Sequence, residues 1–189
     1  MEKNVSGDAG TALLNGAYAL ETPEDNRDYY QRFASFYDQD FATGLGYIYP
    51  EAVADAFLEL TYLPKGLVCD IGCGTGLVAG HLKAKCPDIE IDGADISADM
   101  LAVAANKSLY QRYYEVDLTG DTAVLPTGYA AIISAGTFTH GHLGPDPLRQ
   151  LIRHCQTDGV FCIGVNKQHY QKHDFARCLE SLVSENVIS

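Results

Sequence analysis

The residues best suited to chemistry form a glycine-rich loop. Gly72, Gly74 and Gly76 stand at alternate positions between a short apolar run and a segment with helical periodicity. Glycines allow a tight turn and let the backbone approach a ligand closely. The N-terminus of the helix that follows offers free N–H groups to an anionic group. A single glycine motif is weak, and a tight turn without a ligand is the alternative for this loop taken alone.

Two acidic residues stand where the next two predicted strands end, Asp95 after the apolar run 89–94 and Asp117 after the run 113–116. In a nucleotide-binding α/β unit, a carboxylate at the end of the second strand accepts hydrogen bonds from ribose hydroxyls. Asp117 suits the amino group of an adenine. The alternatives are a cap for the helix near Ser97 and an Asx-turn before Thr119. Three such strand ends in order favour a ligand site.

The elements that must position these residues are strands alternating with helices. Strands are predicted over 67–71, 89–94, 113–116, 130–135 and 160–165, and helices over 28–41, 50–60, 77–85, 97–106, 146–155 and 169–184. This alternation predicts a doubly wound, Rossmann-like α/β fold with a parallel sheet covered on both faces. Residues 1–27 are predicted to form an N-terminal arm, with some flexibility, and 28–189 a single domain.

Composition narrows the class of partner. The chain has 189 residues, 47% of them hydrophobic, and a formal net charge of −12. This excess of acid argues against binding a nucleic acid backbone and favours a small molecule. No apolar run could span a bilayer and no signal peptide is visible, so no membrane association is predicted. Six cysteines without a CxxC pair indicate free thiols in a reducing compartment, and hence a cytoplasmic protein.

Two histidine pairs are weaker candidates. His140 and His142 follow the predicted fourth strand, where one of them could serve as a general base. The alternative is that they position a substrate or have no role. His169 and His173 are four residues apart on a predicted helix, but no glutamate accompanies them as in H-E-x-x-H, and no metal site is predicted.

The string Val-Cys-Asp-Ile-Gly-Cys-Gly-Thr-Gly at 68–76 resembles motif I of the class I S-adenosylmethionine-dependent methyltransferases. Asp95 and Asp117 match the second and third acidic positions of that family. The segment 30–38 resembles the tyrosine-containing opening of its small-molecule branches. Segments 37–40, 74–79 and 95–101 are similar to the Williams–Beuren syndrome chromosome-region methyltransferase-like group. The resemblance covers residues 29–185 and implies S-adenosylmethionine as cofactor.

The resemblance also implies roles for individual residues. Asp95 would hold both ribose hydroxyls, Asp117 would accept from the adenine amino group, and Asp70 would brace the loop and the amino group of the cofactor. Tyr30 and Tyr37 would close over the cofactor from the N-terminal helix. The implied cofactor-binding set is Tyr30, Tyr37, Asp70, Gly72, Cys73, Gly74, Thr75, Gly76, Asp95, Ile96, Met100, Asp117, Leu118 and Ser134.

Two departures from the family pattern shape the expected activity. The fourth strand begins Tyr129-Ala130 where the family often has an aromatic residue and an aspartate, and the two strands that normally follow residue 166 are not evident. The run 160–165 is therefore expected to be an edge strand, which favours weak turnover and a possible homodimer.

The function expected from the resemblance is methyl transfer to an unidentified small-molecule acceptor, by an enzyme that needs no obligatory catalytic acid, base or metal. The alternatives are a non-catalytic or truncated S-adenosylmethionine-binding module and an NAD-type oxidoreductase. The latter would have a G-x-G-x-x-G loop rather than the G-x-G-x-G present here.

Overall fold

The computed structural model describes residues 16, 20, 22–34, 47–60, 65–139 and 142–189. Its sheet has five strands in the order β3-β2-β1-β4-β5, and every neighbouring pair is parallel. Successive strands are added on one side of β1 up to β3 and on its other side from β4 onward, so the sheet has a switch point between β1 and β4. Ligands of such sheets bind at this switch point. The strands are β1 Val68–Ile71, β2 Ile91–Asp95, β3 Tyr113–Glu115, β4 Tyr129–Phe138 and β5 Cys155–Val165.

Helices cover both faces of the sheet. They are α1 Pro23–Phe33, α2 Tyr49–Leu58, α3 Leu77–Lys85, α4 Ala98–Asn106, α5 Leu148–Leu151, α6 Lys167–Lys172 and α7 Phe175–Ser184, with a 3₁₀ turn at Ile152–His154 after α5. Within the described part of the chain, no helix has both the length and the apolar character required to cross a bilayer.

The core lies in two layers, one on each side of the sheet. Phe57 of α2 and Leu82 of α3 are buried on one side, and Phe138 of β4 packs edge to face with Phe175 of α7 on the other. Burial of each such side chain contributes about 1.5–3 kcal/mol to folding. The predicted doubly wound α/β fold is therefore confirmed.

The N-terminal helix starts at Pro23 rather than at the predicted residue 28. The Thr22 side chain accepts a hydrogen bond from the Asp25 backbone N–H, the Asp25 carboxylate accepts one from the Thr22 backbone N–H, and Pro23 occupies the first helical turn. This capping box, with a proline directly inside it, is a strong helix start. The predicted end of this helix, near residue 41, lies outside the described residues.

Two predicted helices were wrong in extent. The helix predicted over 146–155 shortens to α5 and its 3₁₀ turn, because Cys155 already pairs with Tyr129 as the first residue of β5. The helix predicted over 169–184 is divided into α6 and α7, because Asp174 adopts a left-handed conformation at φ 52°. In the described sheet β5 has β4 on one side only, as the edge-strand prediction required.

Candidate active site

A cavity of about 510 Å³ lies at the carboxyl ends of the strands, on the side of the switch point. All five strands contribute to its wall through their last residues or the loops that follow, and residues of α1 and of the start of α2 complete the wall. Its lining residues are Thr22, Pro23, Asn26, Tyr30, Tyr47, Tyr49, Gly72, Gly74, Asp95, Ile96, Met100, Val116, Asp117, Leu118, Thr119, Ala135, Gly136, Thr137, Thr139, His142, Leu143, Val165, Asn166 and Lys167.

The glycine loop after β1 forms the floor of the cavity. Gly72 and Gly74 adopt left-handed conformations, with φ of 61° and 51°. A side chain at Gly72 would overlap the hydroxyl of Thr137, which approaches from the end of β4. Only glycine therefore fits this position, and the backbone of the loop lies open toward a ligand.

Asp95 connects the ends of β1 and β2. Its Oδ2 accepts a 2.7 Å hydrogen bond from the Gly74 N–H, and its Oδ1 accepts one of 2.9 Å from the Ser97 N–H. Ser97 itself caps α4, since its hydroxyl accepts from the Met100 N–H. Each carboxylate oxygen has a further lone pair, so Asp95 can still accept hydrogen bonds from a ligand in the cavity. Burial raises the pKa of Asp95 above its ordinary value.

Asp117 forms the Asx-turn that the sequence offered as the alternative to ligand binding, and it also lines the cavity. Its Oδ1 accepts from the Thr119 N–H at 2.8 Å and from the Thr119 hydroxyl at 2.7 Å. The side-chain amide of Gln150, on α5, donates to the Leu118 and Gly120 carbonyls at 2.8 and 3.2 Å. Thr119 and Gln150 thus hold the turn by hydrogen bonds. A carboxylate has a second oxygen, so Asp117 can also accept a hydrogen bond from a donor in the cavity.

Five residues of the predicted set do not line the cavity: Cys73, Thr75 and Gly76 belong to the glycine loop itself, and Asp70 and Ser134 lie in strands β1 and β4. The Asp70 carboxyl is buried and accepts a 2.7 Å hydrogen bond from the Tyr110 hydroxyl, and burial raises its pKa to about 7. Burial also raises the pKa of the Cys73 thiol, which favours its protonated form. The Ser134 hydroxyl donates to the Ile71 carbonyl at 2.7 Å. These residues support the loop.

His142 is the predicted histidine that reaches the cavity. Its Nδ1 lies 3.1 Å from the Gly136 carbonyl oxygen and its Nε2 lies 3.2 Å from the Tyr30 hydroxyl. Burial lowers the pKa of His142 to about 4, so the ring is neutral at physiological pH. The other predicted candidates of this region, His140 and Tyr37, lie outside the described residues.

His169 lies on α6, and His173 directly follows that helix. Nε2 of His169 lies 2.8 Å from the Leu143 carbonyl oxygen, and its ring lies against His173 with 4.3 Å between centroids. Across the described ranges, no group of three or more His, Cys, Asp or Glu side chains has a metal-binding arrangement.

Sequence reasoning missed the part of the wall formed by the ends of β4 and β5 and the segments that follow them. Its residues are Gly136, Thr137, Thr139, Leu143, Val165, Asn166 and Lys167. The strand-end rule that found Asp95 would have found Asn166, which directly follows β5. Thr137 was missed because β4 extends to Phe138, three residues beyond the end predicted at 135.

Comparison with known proteins agrees with this architecture. Residues 68–159 match a family described as a methyltransferase domain. The human Methyltransferase-like protein 27 is 31% identical over 143 residues, which are 74% of this chain and 58% of that protein. The Ribosomal RNA small subunit methyltransferase C of Ectopseudomonas mendocina (strain ymp) is 31% identical over 115 residues, 57% of this chain and 34% of that protein.

Among solved structures, a TehB-like SAM-dependent methyltransferase from Corynebacterium glutamicum ATCC 13032 Kitasato superposes with a TM-score of 0.58. The two chains share 23% identity, and the superposition covers 85% of this chain and 84% of that one. This likeness shows the shared fold. The chain spans 58% and 34% of the lengths of the two curated relatives.

Proposed function

Residues 68–159 match a methyltransferase domain, and we propose that this chain acts as a class I S-adenosylmethionine-dependent methyltransferase, which binds S-adenosylmethionine in its cavity and transfers the methyl group to a small molecule. The observation that carries the proposal is the Gly74–Asp95 hydrogen bond of 2.7 Å. It connects the glycine loop to an acidic strand end at the wall of the cavity, and these two features together are typical of nucleotide-binding α/β folds.

The residues of the cavity fit the chemistry of this cofactor. Asp95 offers carboxylate oxygens to the two ribose hydroxyls, and Asp117 offers Oδ2 to the adenine amino group. Ile96 and Met100 supply apolar surface beside the adenine. The open backbone at Gly72 leaves room for the amino-acid portion.

Methyl transfer from this cofactor does not require a catalytic acid, base or metal. The cofactor, when bound, supplies a methyl carbon activated by a positively charged sulfur. The chain aligns the acceptor with that carbon and excludes water from it. Such alignment can contribute about 7–11 kcal/mol to lowering a barrier.

Charge favours a small acceptor over an RNA. One curated relative is, by its name, a ribosomal RNA methyltransferase. The present chain has a net charge of −12, which repels a phosphate backbone. Lys167 is the one lysine or arginine among the described residues that line the cavity. These features support a small, uncharged acceptor.

The location and assembly of the protein are also part of the proposal. The six cysteines are free, which supports the reducing environment of the cytoplasm. The half-buried apolar residues of the edge strand β5 support pairing with a second copy.

Isothermal titration with S-adenosylhomocysteine and with NAD⁺ tests the cofactor. Binding of the first and not of the second is the expected result, and the reverse would overturn the proposal in favour of an oxidoreductase. Release of tritiated methyl groups from S-adenosylmethionine onto a metabolite panel then tests turnover. Tight binding without transfer to any acceptor would identify a non-catalytic binding module.

A further inference from the structure

One side chain on the cavity wall has no task in the function described so far. His142 has its Nδ1 3.1 Å from the Gly136 carbonyl oxygen and its Nε2 3.2 Å from the Tyr30 hydroxyl. A carbonyl oxygen can only accept, so Nδ1 carries the ring proton and Nε2 presents a lone pair to the cavity. The backbone therefore fixes the tautomer in which the nitrogen facing the cavity is a proton acceptor.

We propose that His142 is the general base of the methyl transfer and that the acceptor is an uncharged, phenol-type hydroxyl compound. This inference rests on the proposed function and deepens it. The chain itself shows which group fits the site, because the Tyr30 phenol donates its O–H to Nε2. At 3.2 Å this bond is longer than most hydroxyl hydrogen bonds, and an incoming hydroxyl can replace it.

The surroundings of His142 favour this class of acceptor. Tyr47 and Tyr49, whose ring centroids lie 6.2 Å apart, give the cavity that His142 lines an aromatic wall, and Leu143 and Val165 add apolar surface to the same cavity. A carboxylate acceptor would bring no proton for Nε2, and its negative charge would repel the lone pair of that nitrogen. An aliphatic ammonium would add a positive charge beside the positive sulfur. An aromatic hydroxyl meets neither obstacle.

Position supports the role as well. Gly136, which holds His142, precedes Thr137, and Thr137 lies directly against Gly72 of the glycine loop. His142 is thus held beside the loop that would receive the amino-acid portion of the cofactor.

The step balances as a displacement. A lone pair of the acceptor oxygen forms a bond to the methyl carbon, the carbon–sulfur bond breaks, and its electron pair neutralises the sulfur. The hydroxyl proton passes to Nε2 of His142 and from there to water. The oxygen becomes strongly acidic as its bond to carbon forms, so even a weak base suffices to take the proton.

A weak base has the advantage of staying unprotonated. Burial lowers the pKa of His142 to about 4; the hydrogen bond to the Gly136 carbonyl opposes this shift, and the charge of His169 on α6 adds to it. The other titratable or charged groups facing this cavity among the described residues are the Tyr30, Tyr47 and Tyr49 phenols, the Asp95 and Asp117 carboxylates and the Lys167 ammonium. Protonation of His142 is therefore expected to leave kcat unchanged from pH 6 to 8 and to lower it only below about pH 5.

Three probes that share one ring test the acceptor class: 4-methylphenol, 4-methylaniline and 4-methylbenzoate, each incubated with tritiated S-adenosylmethionine. Transfer to 4-methylphenol, and faster there than to the other two, is expected. His142→Asn retains a donor near the Nδ1 position and has no atom at Nε2. It should lower kcat at least about 100-fold and leave the Kd of S-adenosylhomocysteine within twofold. His81→Asn, on α3 away from the cavity, is the matched control.

Nitrogen-15 NMR of the histidine rings supplies a readout independent of turnover. The Nδ1–H tautomer is expected for His142, and its Nε2 resonance should shift when 4-methylphenol joins the S-adenosylhomocysteine complex, while that of His81 stays in place. An Nε2–H tautomer, full activity of His142→Asn, or no transfer to 4-methylphenol by a chain that binds S-adenosylhomocysteine would overturn the inference. Failure to bind S-adenosylhomocysteine would instead overturn the proposed function.

Discussion

The backbone N–H of Gly74 donates a 2.7 Å hydrogen bond to Oδ2 of Asp95, and this bond connects the loop after β1 to the end of β2. The other oxygen of Asp95 accepts from the Ser97 N–H at 2.9 Å. One carboxylate thereby sets the shape of the glycine loop and presents its remaining lone pairs to the cavity. We expect the same residue to serve both folding and binding, and two separate measurements on one variant distinguish these roles.

Asp95→Ala is expected to weaken binding of S-adenosylhomocysteine at least tenfold. Hydrogen bonds to a charged group contribute about 1.5–3 kcal/mol each, and about 1.4 kcal/mol corresponds to a factor of ten. The variant should also lose about 1–3 kcal/mol of stability, since the Gly74 N–H loses its acceptor. Calorimetric titration and urea denaturation measure the two effects. Asp99→Ala, an exposed aspartate on α4, is the control, and equal affinity of Asp95→Ala and wild type would restrict Asp95 to loop support.

Asp117 is expected to distinguish adenine from hypoxanthine. S-inosylhomocysteine carries a carbonyl in place of the adenine amino group, so its oxygen would face the carboxylate, and it should bind wild type at least tenfold more weakly than S-adenosylhomocysteine. Asp117→Asn offers an amide donor and should narrow this difference. The four dissociation constants form a double-mutant cycle. A coupling free energy near zero would show that Asp117 serves only its Asx-turn with Thr119.

Asp70 is expected to make the ligand-free protein less stable as pH rises. Its pKa is about 7 in the fold against an ordinary value of 3.8, so between those values the folded state binds more protons than the unfolded state. Stability conferred by the protonated carboxyl is present below about pH 4 and is lost as pH rises through 7. Asp70→Asn should remove this decline and be the more stable protein at pH 8, by on the order of 2 kcal/mol.

Urea denaturation of wild type and Asp70→Asn at pH 5 and pH 8 checks this expectation, with Asp99→Asn as an exposed control. An identical pH dependence in wild type and Asp70→Asn would show that Asp70 is ionised throughout the range.

Helix α1 is expected to become more protected when the cofactor site fills. Pro23, Asn26 and Tyr30 line the cavity, and a ligand at 100 times its dissociation constant stabilises the bound form by about 2.7 kcal/mol. Amide hydrogen exchange over residues 23–33 should slow on addition of S-adenosylhomocysteine, while exchange in α7 changes much less. Equal exchange in α1 with and without ligand would assign its tyrosines to packing alone.

The sequence by itself determined the layered fold and several of the strand ends that line the cavity. Strand ends are local features, because an apolar run followed by glycines or an acid can be read without knowing what lies beside it. Parallel strands then bring those ends to one edge of the sheet, which is why Gly74, Asp95 and Asp117 were found together. The start of β5 was harder to predict from the sequence, because Cys155 belongs to a strand only through its pairing with Tyr129.

Tertiary structure alone decided which residues face the cavity and which support it from behind. Asp70 lies two residues before the cavity residue Gly72, and Ser134 lies in β4 directly before Ala135, yet their side chains point into the protein, toward Tyr110 and the Ile71 carbonyl. The contact between Tyr30 and His142 joins positions 112 residues apart, and it depends on how α1 packs over the strand ends. Periodicity reports burial along one element but carries no information on such distant pairs. The protonation state of His142 follows from that packing, because the Gly136 carbonyl and the burial of the ring fix it.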